Sequence, residues 1–318
     1  ELEFRAFENC VLLESITIPE GYTAIGSDCF AGCTALSEVV LPTTLKEIDY
    51  DAFNGCTALT EIDLPSGLQK IGSHAFENTG LTSISIPASV VLGIYDIGVF
   101  MNNAHLASVT FEDGFTRIEE AMFSGCPMLT SVVIPSSVVY VGESAFGKYS
   151  DYMVTEASGV QTVTIKGAPS FGDRVFFDCD SLKTVIFEGA IQELGDEMFR
   201  DCDNLESIVI PNTVTDGGYE VFMDCDKLTS VTLSTGMSSL GDGYFSNCVA
   251  LSTIEIPANI TELSYECFIG CTAMTSIYLP LTVSYVANYV FYGWTENQTI
   301  RLACSEEYAA ANFRTYWN

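Results

Sequence analysis

A phenylalanine recurs along this chain at an almost constant interval, and this repeat constrains the fold more than any other feature. The 13 copies are Phe7, Phe30, Phe53, Phe76, Phe100, Phe123, Phe146, Phe176, Phe199, Phe222, Phe245, Phe268 and Phe291. Ten of the 12 intervals are 23 residues, one is 24 and one is 30. A fixed period of roughly 20 to 50 residues is the signature of a repeat architecture. We therefore expect one repeat domain rather than two globular domains.

Each copy carries the same apolar pattern after its phenylalanine, as the copy that begins at Phe53 illustrates. Leu59, Ile62 and Leu64 follow with the L-x-x-L-x-L spacing of a leucine-rich repeat, whose second half is a short strand. Pro65 ends that strand, because proline has no N–H to donate to a sheet. One coil cannot bury its own apolar side, so coils stack and their strands pair in parallel. The pattern predicts a right-handed solenoid of about 13 coils of 23 residues, with one long parallel β-sheet.

Nine of the 12 cysteines occupy one position of the repeat, three residues after the phenylalanine. They are Cys10, Cys33, Cys56, Cys126, Cys179, Cys202, Cys225, Cys248 and Cys271. An inward position favours reduced thiols that pack as small apolar side chains, and Cβ atoms about 4.8 Å apart are wider than disulfide geometry prefers. The chain has no C-x-x-C pair, so we expect no zinc site and place His74 and His105 at the surface or in caps.

The net charge of −30, with only 12 lysines and arginines, argues against nucleic acid and anionic lipid as partners. No apolar run approaches the length of a membrane span. G-x-S-x-G, P-loop and H-E-x-x-H motifs are absent, so we expect neither an enzyme nor a required cofactor. We also expect a monomer. Leu2 occupies the position equivalent to Ile71, which predicts that the chain begins partway through a coil.

The recurring unit I-G-x-x-A-F-x-x-C-x-x-L-x-x-I-x-I-P resembles that of the BspA-like leucine-rich repeat family, as residues 50–65, 71–80 and 81–90 illustrate. The resemblance covers residues 1–297 as a solenoid and 298–318 as a last strand and cap. In that tail, Ser305 is interpreted as the N-cap of a helix that runs to about Arg314 and covers the last coil.

The resemblance implies a secreted or surface-anchored bacterial protein that adheres to host extracellular proteins or glycans. It implies no catalytic residues, because the family has none in common. The alternative hypothesis is a rigid acidic spacer that presents other domains, and an enzyme is a distant third. A repeat fold hosts many functions, so the ligand stays open.

The outward face of the predicted sheet holds the first candidate ligand-binding residues. Most outward positions are β-branched or hydroxyl residues, which suit any strand face. Two groups differ from this background: an acidic cluster of Glu38, Glu61 and Asp63, and a group that combines aromatic and charged residues. The second group is Glu255, Tyr278 and Arg301. Tyrosine and arginine are enriched at binding hot spots, so this group predicts a contact site.

The 30-residue interval contains an insertion within residues 147–161. Extra residues in one coil of a solenoid loop out, so Tyr149 and Tyr152 are expected to be partly exposed. The insertion is interpreted either as a tolerated surface loop or as a binding loop on a rigid scaffold.

Three consecutive coils place an aspartate on each side of the column cysteine. The pairs are Asp178 and Asp180, Asp201 and Asp203, and Asp224 and Asp226. Stacked carboxylates about 5 Å apart repel one another, and Ca²⁺ would relieve that repulsion. Other coils have Asn, Gly or Thr at these positions, so turn formation is the alternative interpretation.

Overall fold

The structure is a computed structural model that describes residues 1–93, 95–149, 156–305, 307, 308 and 313. The chain divides into two compact units, Glu1–Pro169 (the N-terminal unit) and Ser170–Asn318 (the C-terminal unit). Each unit is a right-handed solenoid of short parallel strands. Within the described residues, no helix has the length and apolar character needed to cross a membrane.

All strands are two to four residues long. Those of the N-terminal unit are β1 (Ser15–Thr17), β2 (Ala24–Ile25), β3 (Glu38–Val40), β4 (Glu47–Ile48), β5 (Lys70–Ile71), β6 (Ser83–Ile86), β7 (Ser108–Phe111), β8 (Arg117–Ile118), β9 (Ser131–Ile134), β10 (Tyr140–Val141) and β11 (Thr162–Ile165). Those of the C-terminal unit are β12 (Ser170–Phe171), β13 (Thr184–Phe187), β14 (Ser207–Val209), β15 (Ser230–Thr232), β16 (Ser239–Leu240), β17 (Glu262–Leu263), β18 (Ser276–Leu279), β19 (Tyr285–Val286) and β20 (Thr299–Leu302).

The strands form two rows in each unit, which corrects the prediction of a single long sheet. The first row comes from the L-x-x-L-x-L segments, with pairs such as β1 with β3 and β9 with β11. The second row consists of two-residue strands that precede most of the phenylalanines, as in β2–β4–β5 and β16–β17–β19. Two residues per coil suffice for this ladder, because stacked coils already lie at strand-pairing distance.

The first row is also interrupted in each unit, since residues 61–64 and 254–257 form no strand. At the first interruption, Glu61 stands at the repeat position of Glu38 in the preceding coil. Carboxylates directly opposite each other destabilise the pairing of two strands. The interruption therefore lies where Glu38 and Glu61 would face each other.

The repeating phenylalanines stack on one another inside each unit. Successive rings lie 5.2 to 5.7 Å apart, centroid to centroid, from Phe7 to Phe146, and 5.5 to 5.7 Å apart from Phe176 to Phe291. Their planes are nearly parallel, which at this spacing is an offset stack. Burial of each ring stabilises the fold by about 1.5 to 3 kcal/mol before chain entropy is subtracted.

The cysteines of the column are free thiols, as expected, and they also donate hydrogen bonds. Cys225 Sγ donates to the carbonyl of Phe199 at 3.0 Å. The same bond to the phenylalanine carbonyl of the preceding coil is made by Cys33, Cys56, Cys126, Cys202, Cys248 and Cys271. Asn103 replaces the thiol in one coil and donates to the Phe76 carbonyl at 2.8 Å. Trp294 does so in the last coil, donating from Nε1 at 3.1 Å. The column therefore satisfies a buried carbonyl in addition to filling the core.

Two positions around each phenylalanine adopt left-handed backbone conformations. Two residues before it these are Arg5, Asp28, Asp51, His74, Gly98, Ala121, Ser144, Arg174, Glu197, Glu220, Gly243, Glu266 and Tyr289. Two residues after it they are Asn9, Gly32, Gly55, Asn78, Asn102, Gly125, Asp178, Asp201, Asp224, Asn247, Gly270 and Gly293. This alternation points three N–H groups at the next coil, as in Asp28 to Tyr50, Phe30 to Ala52 and Gly32 to Asn54 at 2.8 to 2.9 Å.

In the core of the C-terminal unit, one coil has a glycine at a leucine position, and a tyrosine of the next coil fills the space. Gly217 stands where neighbouring coils have Leu194 and Leu240, and a Cβ atom there would lie 2.4 Å from Met237 Cε and 3.1 Å from the Tyr244 ring. The fully buried Tyr244 fills that space. Among the described residues, its hydroxyl has no hydrogen-bond partner.

The predicted C-terminal helix falls largely outside the described residues. Glu307 and Tyr308 are helical, and Ser305 Oγ accepts a hydrogen bond from the Tyr308 N–H at 3.2 Å. That contact has the geometry of an N-cap.

Tyr244→Phe is expected to stabilise the protein by about 1 kcal/mol, because it removes a buried hydroxyl that lacks a partner. Urea unfolding measures the change. The matched control is Tyr278→Phe, whose hydroxyl is on a side chain that is 57% exposed, and whose effect should stay within about 0.5 kcal/mol. Loss of stability in Tyr244→Phe would contradict this packing interpretation.

Alkylation with iodoacetamide should separate the cysteines by burial. Burial raises the pKa of Cys56 and Cys126 to about 12, which leaves almost no reactive thiolate at neutral pH. Cys10 is exposed and Cys304 is half-buried. We expect mass spectrometry to find label at these two in the folded protein and at all 12 in denaturant. Rapid labelling of Cys225 in the folded protein would contradict the buried column.

Candidate binding surface

The outward side chains of the first row are exposed in both units. Val40 and Val133 are 47% and 50% exposed in the N-terminal unit, and Val209 and Tyr278 are 64% and 57% exposed in the C-terminal unit. The inward neighbours of Val133, Val209 and Tyr278 are buried, whereas those of Val40 are half-buried. The strand alternation thus places apolar and aromatic groups in solvent on a rigid backbone.

The structure brings Glu38, Glu61 and Asp63 together, as the sequence predicts. All three line one shallow hollow on the outward face, together with Ser37 and Val40. Glu61 and Asp63 also line the adjoining hollow, which extends to Glu112. The hollows lie at the interruption of the first row, where residues 61–64 leave the strand conformation. This surface therefore combines negative charge with exposed backbone, and it suits a basic or hydrogen-bonding partner.

The second predicted group is only partly assembled. Tyr278 on β18 and Arg301 on β20 are cross-strand partners, and both are exposed. Glu255 is exposed in the preceding coil, within the segment that forms no strand. An aromatic ring beside a guanidinium offers an anchor and a charge, which are common features of interface hot spots.

The predicted exposure of Tyr149 is wrong. Tyr149 is 6% exposed and packs with Met101 and Ala121. Its N–H donates to Ser124 Oγ at 3.1 Å, and its hydroxyl donates to Glu120. It is buried because it stands three residues after Phe146, at the inward position of the cysteine column. The repeat register already contained this signal. Tyr152 lies outside the described residues.

The aspartate columns adopt the geometry of a turn. Asp178, Asp201 and Asp224 have φ values of 58°, 57° and 60°. In the other coils where this position is left-handed it holds only Asn or Gly, and these residues with Asp best tolerate the left-handed region. The Asp201 N–H donates to the Met223 carbonyl at 2.9 Å, so the turn serves coil-to-coil bonding.

Two aspartates of the middle coil, Asp201 and Asp203, have raised pKa values. Burial, followed by the nearby Asp224 carboxylate, raises the pKa of Asp201 to about 6, against a smaller opposing effect of Arg200. Arg200 Nε lies 3.5 Å from Asp201 Oδ2. Burial and the Asp180 and Asp226 charges likewise raise the pKa of Asp203.

A metal site does not emerge from the side-chain geometry. Across the parts of the chain that the structure describes, no group of three His, Cys, Asp or Glu side chains is arranged to hold a metal ion. Calcium binding by the aspartate columns stays a prediction. His105 is exposed, whereas His74 is 5% exposed, which excludes the surface position among the two that were expected for it. Its Nδ1 lies 3.0 Å from Glu77 Oε2.

The outward face of the second row was not predicted from the repeat pattern. In the C-terminal unit this face has a hollow lined by Asp242, Glu262, Tyr265 and Tyr285. The sequence signal was the clustering of tyrosines between residues 265 and 292. Because the second row was not predicted, no outward positions were assigned to it.

Asp201→Asn is expected to stabilise the protein at pH 7.5 and to have little effect at pH 4.5. The raised pKa means that the folded state binds more protons than the unfolded state between about pH 4 and 6, so stability falls as pH rises through this range. Because the carboxyl group is 36% exposed, solvent screening reduces the gain at neutral pH to about 1 kcal/mol. Urea unfolding at the two pH values measures it.

Asn suits the left-handed position, as Asn247 shows with φ of 59°. The control for this experiment is Asp226→Asn, which removes an exposed carboxylate from a neighbouring coil. An equal gain at both pH values would contradict the role of proton affinity.

Comparison with known proteins agrees with the geometry of the coil. The model of the BspA type leucine rich repeat region (6 copies) matches residues 1–96, 91–203, 150–275 and 192–312. No curated protein matches the chain significantly.

Solved structures of two bacterial leucine-rich repeat proteins are similar to this chain. A leucine-rich repeat protein from Bacteroides ovatus has 24% identity over 95% of this chain and 87% of its own, with a TM-score of 0.57. A leucine rich cell surface protein from Faecalibacterium prausnitzii has 21% identity over 98% of this chain and 84% of its own, with a TM-score of 0.47. Since the family model covers nearly the whole sequence, the chain belongs to the BspA-type leucine-rich repeat family.

Proposed function

We propose that this chain is a non-enzymatic protein-binding module of a secreted or cell-surface bacterial protein. Membership of the BspA-type family supports a repeat scaffold for binding. The observation that carries the proposal is the outward face of the first row, which holds Tyr278, Val209 and Val40 exposed on short paired strands. Exposed apolar and aromatic side chains on a rigid sheet are typical of interaction surfaces.

The partner is proposed to be a host extracellular protein or glycan, contacted through two parts of this face. Tyr278 and Arg301 supply an aromatic anchor and a cation in the C-terminal unit. Glu38, Glu61 and Asp63 supply a negative hollow in the N-terminal unit. The high negative charge of the chain disfavours anionic partners away from Arg301, so the acidic hollow fits basic segments or polar sugar hydroxyls.

A rigid acidic spacer is the second candidate function. The continuous ring stack and the net charge of −30 favour it, because they give each unit a stiff core and a soluble surface. A spacer does not require a partner for its outward face. The two candidates therefore differ in whether the isolated chain binds anything.

Surface plasmon resonance against a panel of host matrix proteins and glycans tests the proposal, with and without millimolar Ca²⁺. We expect saturable binding, with Tyr278→Ala weakening it about tenfold or more, the cost typical of a hot-spot residue. Tyr219→Ala is the matched control, because this side chain is also 57% exposed but lies in a bend just before Phe222, outside the first row. A requirement for Ca²⁺ would support the predicted aspartate site. Absence of binding to every member of the panel would contradict the proposed binding function and favour the spacer function.

A further inference from the structure

A hollow on the second row of the C-terminal unit combines tyrosine rings with carboxylates. Asp242, Glu262, Tyr265 and Tyr285 line it. The pairing of β17 with β19 places Glu262 directly beside Tyr285. Asp242 Oδ1 accepts a hydrogen bond from the Tyr265 N–H at 2.9 Å, which holds this carboxylate in the lining. The described residues of the lining include no lysine or arginine, so the hollow is negative and aromatic.

The tyrosine rings next to the hollow hold one another in perpendicular pairs. Tyr289 lies between Tyr265 and Tyr292, with centroid distances of 5.6 and 5.4 Å and interplanar angles of 87° and 89°. Tyr265 and Tyr292 are 42% and 56% exposed. Edge-to-face packing fixes ring orientation at little cost, because the positive edge of one ring meets the negative face of the next.

Tyr289 is kept in a backbone conformation that a large side chain rarely adopts. Its φ is 61°, at the left-handed position before the phenylalanine. None of the other 12 copies has Tyr, Phe or Trp there. Every coil adopts this conformation here, and a bulky aromatic residue in it costs of order 1 kcal/mol or more. In this coil the strained residue supports the ring of Tyr265, which lines the hollow.

The N-terminal unit shows what this type of surface accommodates. Tyr140 and Tyr285 occupy the same repeat position, six residues before the phenylalanine. Arg117, the ladder partner of Tyr140, places its guanidinium carbon 4.4 Å from the Tyr140 ring centroid and forms an ion pair with Glu119. In the C-terminal unit the position of Arg117 is taken by Glu262, so the ladder supplies a second carboxylate in place of the cation.

We propose that this hollow binds an arginine side chain of a partner protein, whose guanidinium stacks on a tyrosine ring and pairs with Glu262 and Asp242. The guanidinium reproduces from outside the contact that Arg117 makes within the N-terminal unit. Arginine fits better than lysine, because its planar group stacks on aromatic rings while it donates to carboxylates. The inference concerns the second row and does not depend on binding by the first-row face.

Titration with a monocationic peptide tests the site without the general attraction of a polycation to a chain of charge −30. The probe is acetyl-Gly-Arg-Gly-amide at physiological salt, and tyrosine ring resonances are followed by NMR. Neutral controls are the citrulline analogue and an oligosaccharide, and the lysine analogue tests guanidinium recognition. We expect saturable shifts of ring resonances with the arginine peptide, and affinity at least about threefold weaker for every other probe.

Tyr265→Leu and Glu262→Gln are each expected to weaken binding about threefold or more, while Tyr278→Leu on the first row leaves it unchanged. Glu262→Gln keeps the shape of an exposed side chain, so it decides the outcome if Tyr265→Leu fails to fold. Equal binding of the arginine and citrulline peptides would overturn the proposal. It would also be overturned by equal lysine binding, by shifts from the oligosaccharide alone, or by full affinity in Glu262→Gln. If Tyr278→Ala loses binding to the panel but still binds the arginine peptide, the first-row face and the second-row hollow are independent binding surfaces.

Discussion

Coil-to-coil hydrogen bonding around the repeating phenylalanine is the constraint on which the rest of this structure depends. Within each unit, the N–H of one phenylalanine donates to the carbonyl of the residue before the next phenylalanine, as in Phe30 to Ala52 and Phe199 to Val221 at 2.8 and 3.0 Å. This bond sets the rings in register, and the register then requires left-handed residues on both sides. The thiol of the next cysteine binds the carbonyl of the same phenylalanine. Ring stack, turn and cysteine column are therefore consequences of one geometry.

The turn requirement explains why "DCD" looks like a metal motif. The first aspartate is one of three residue types that occupy a left-handed position, and the cysteine is the inward donor. The pKa values of Asp201 and Asp203 are nevertheless raised, first by burial and then by the carboxylates of the coils on either side. A side chain selected for backbone conformation thus acquires an electrostatic property from its neighbours.

Much of the fold and part of the candidate surface followed from the sequence. The 23-residue period predicted the solenoid, the inward phenylalanines and the free thiols, since each depends on local spacing alone. The cluster of Glu38, Glu61 and Asp63 was also found, because equivalent positions of adjacent coils must be neighbours. Tyr149 was misplaced because the insertion was treated as starting at residue 147, although the cysteine register continues through it.

The sequence by itself determined the period, the inward ladders and the family, because a repeat of fixed length places the same side chains above one another. Only the tertiary structure decided the second strand row and the interruptions of the first row. It also decided that Tyr244 fills the space beside Gly217. These features depend on how the backbone of one coil meets the next. They also depend on whether the charges and volumes of side chains that face each other in adjacent coils are compatible. The tyrosine hollow belongs with them, since Glu262 and Tyr285 become neighbours only through a two-residue ladder that no periodicity marks.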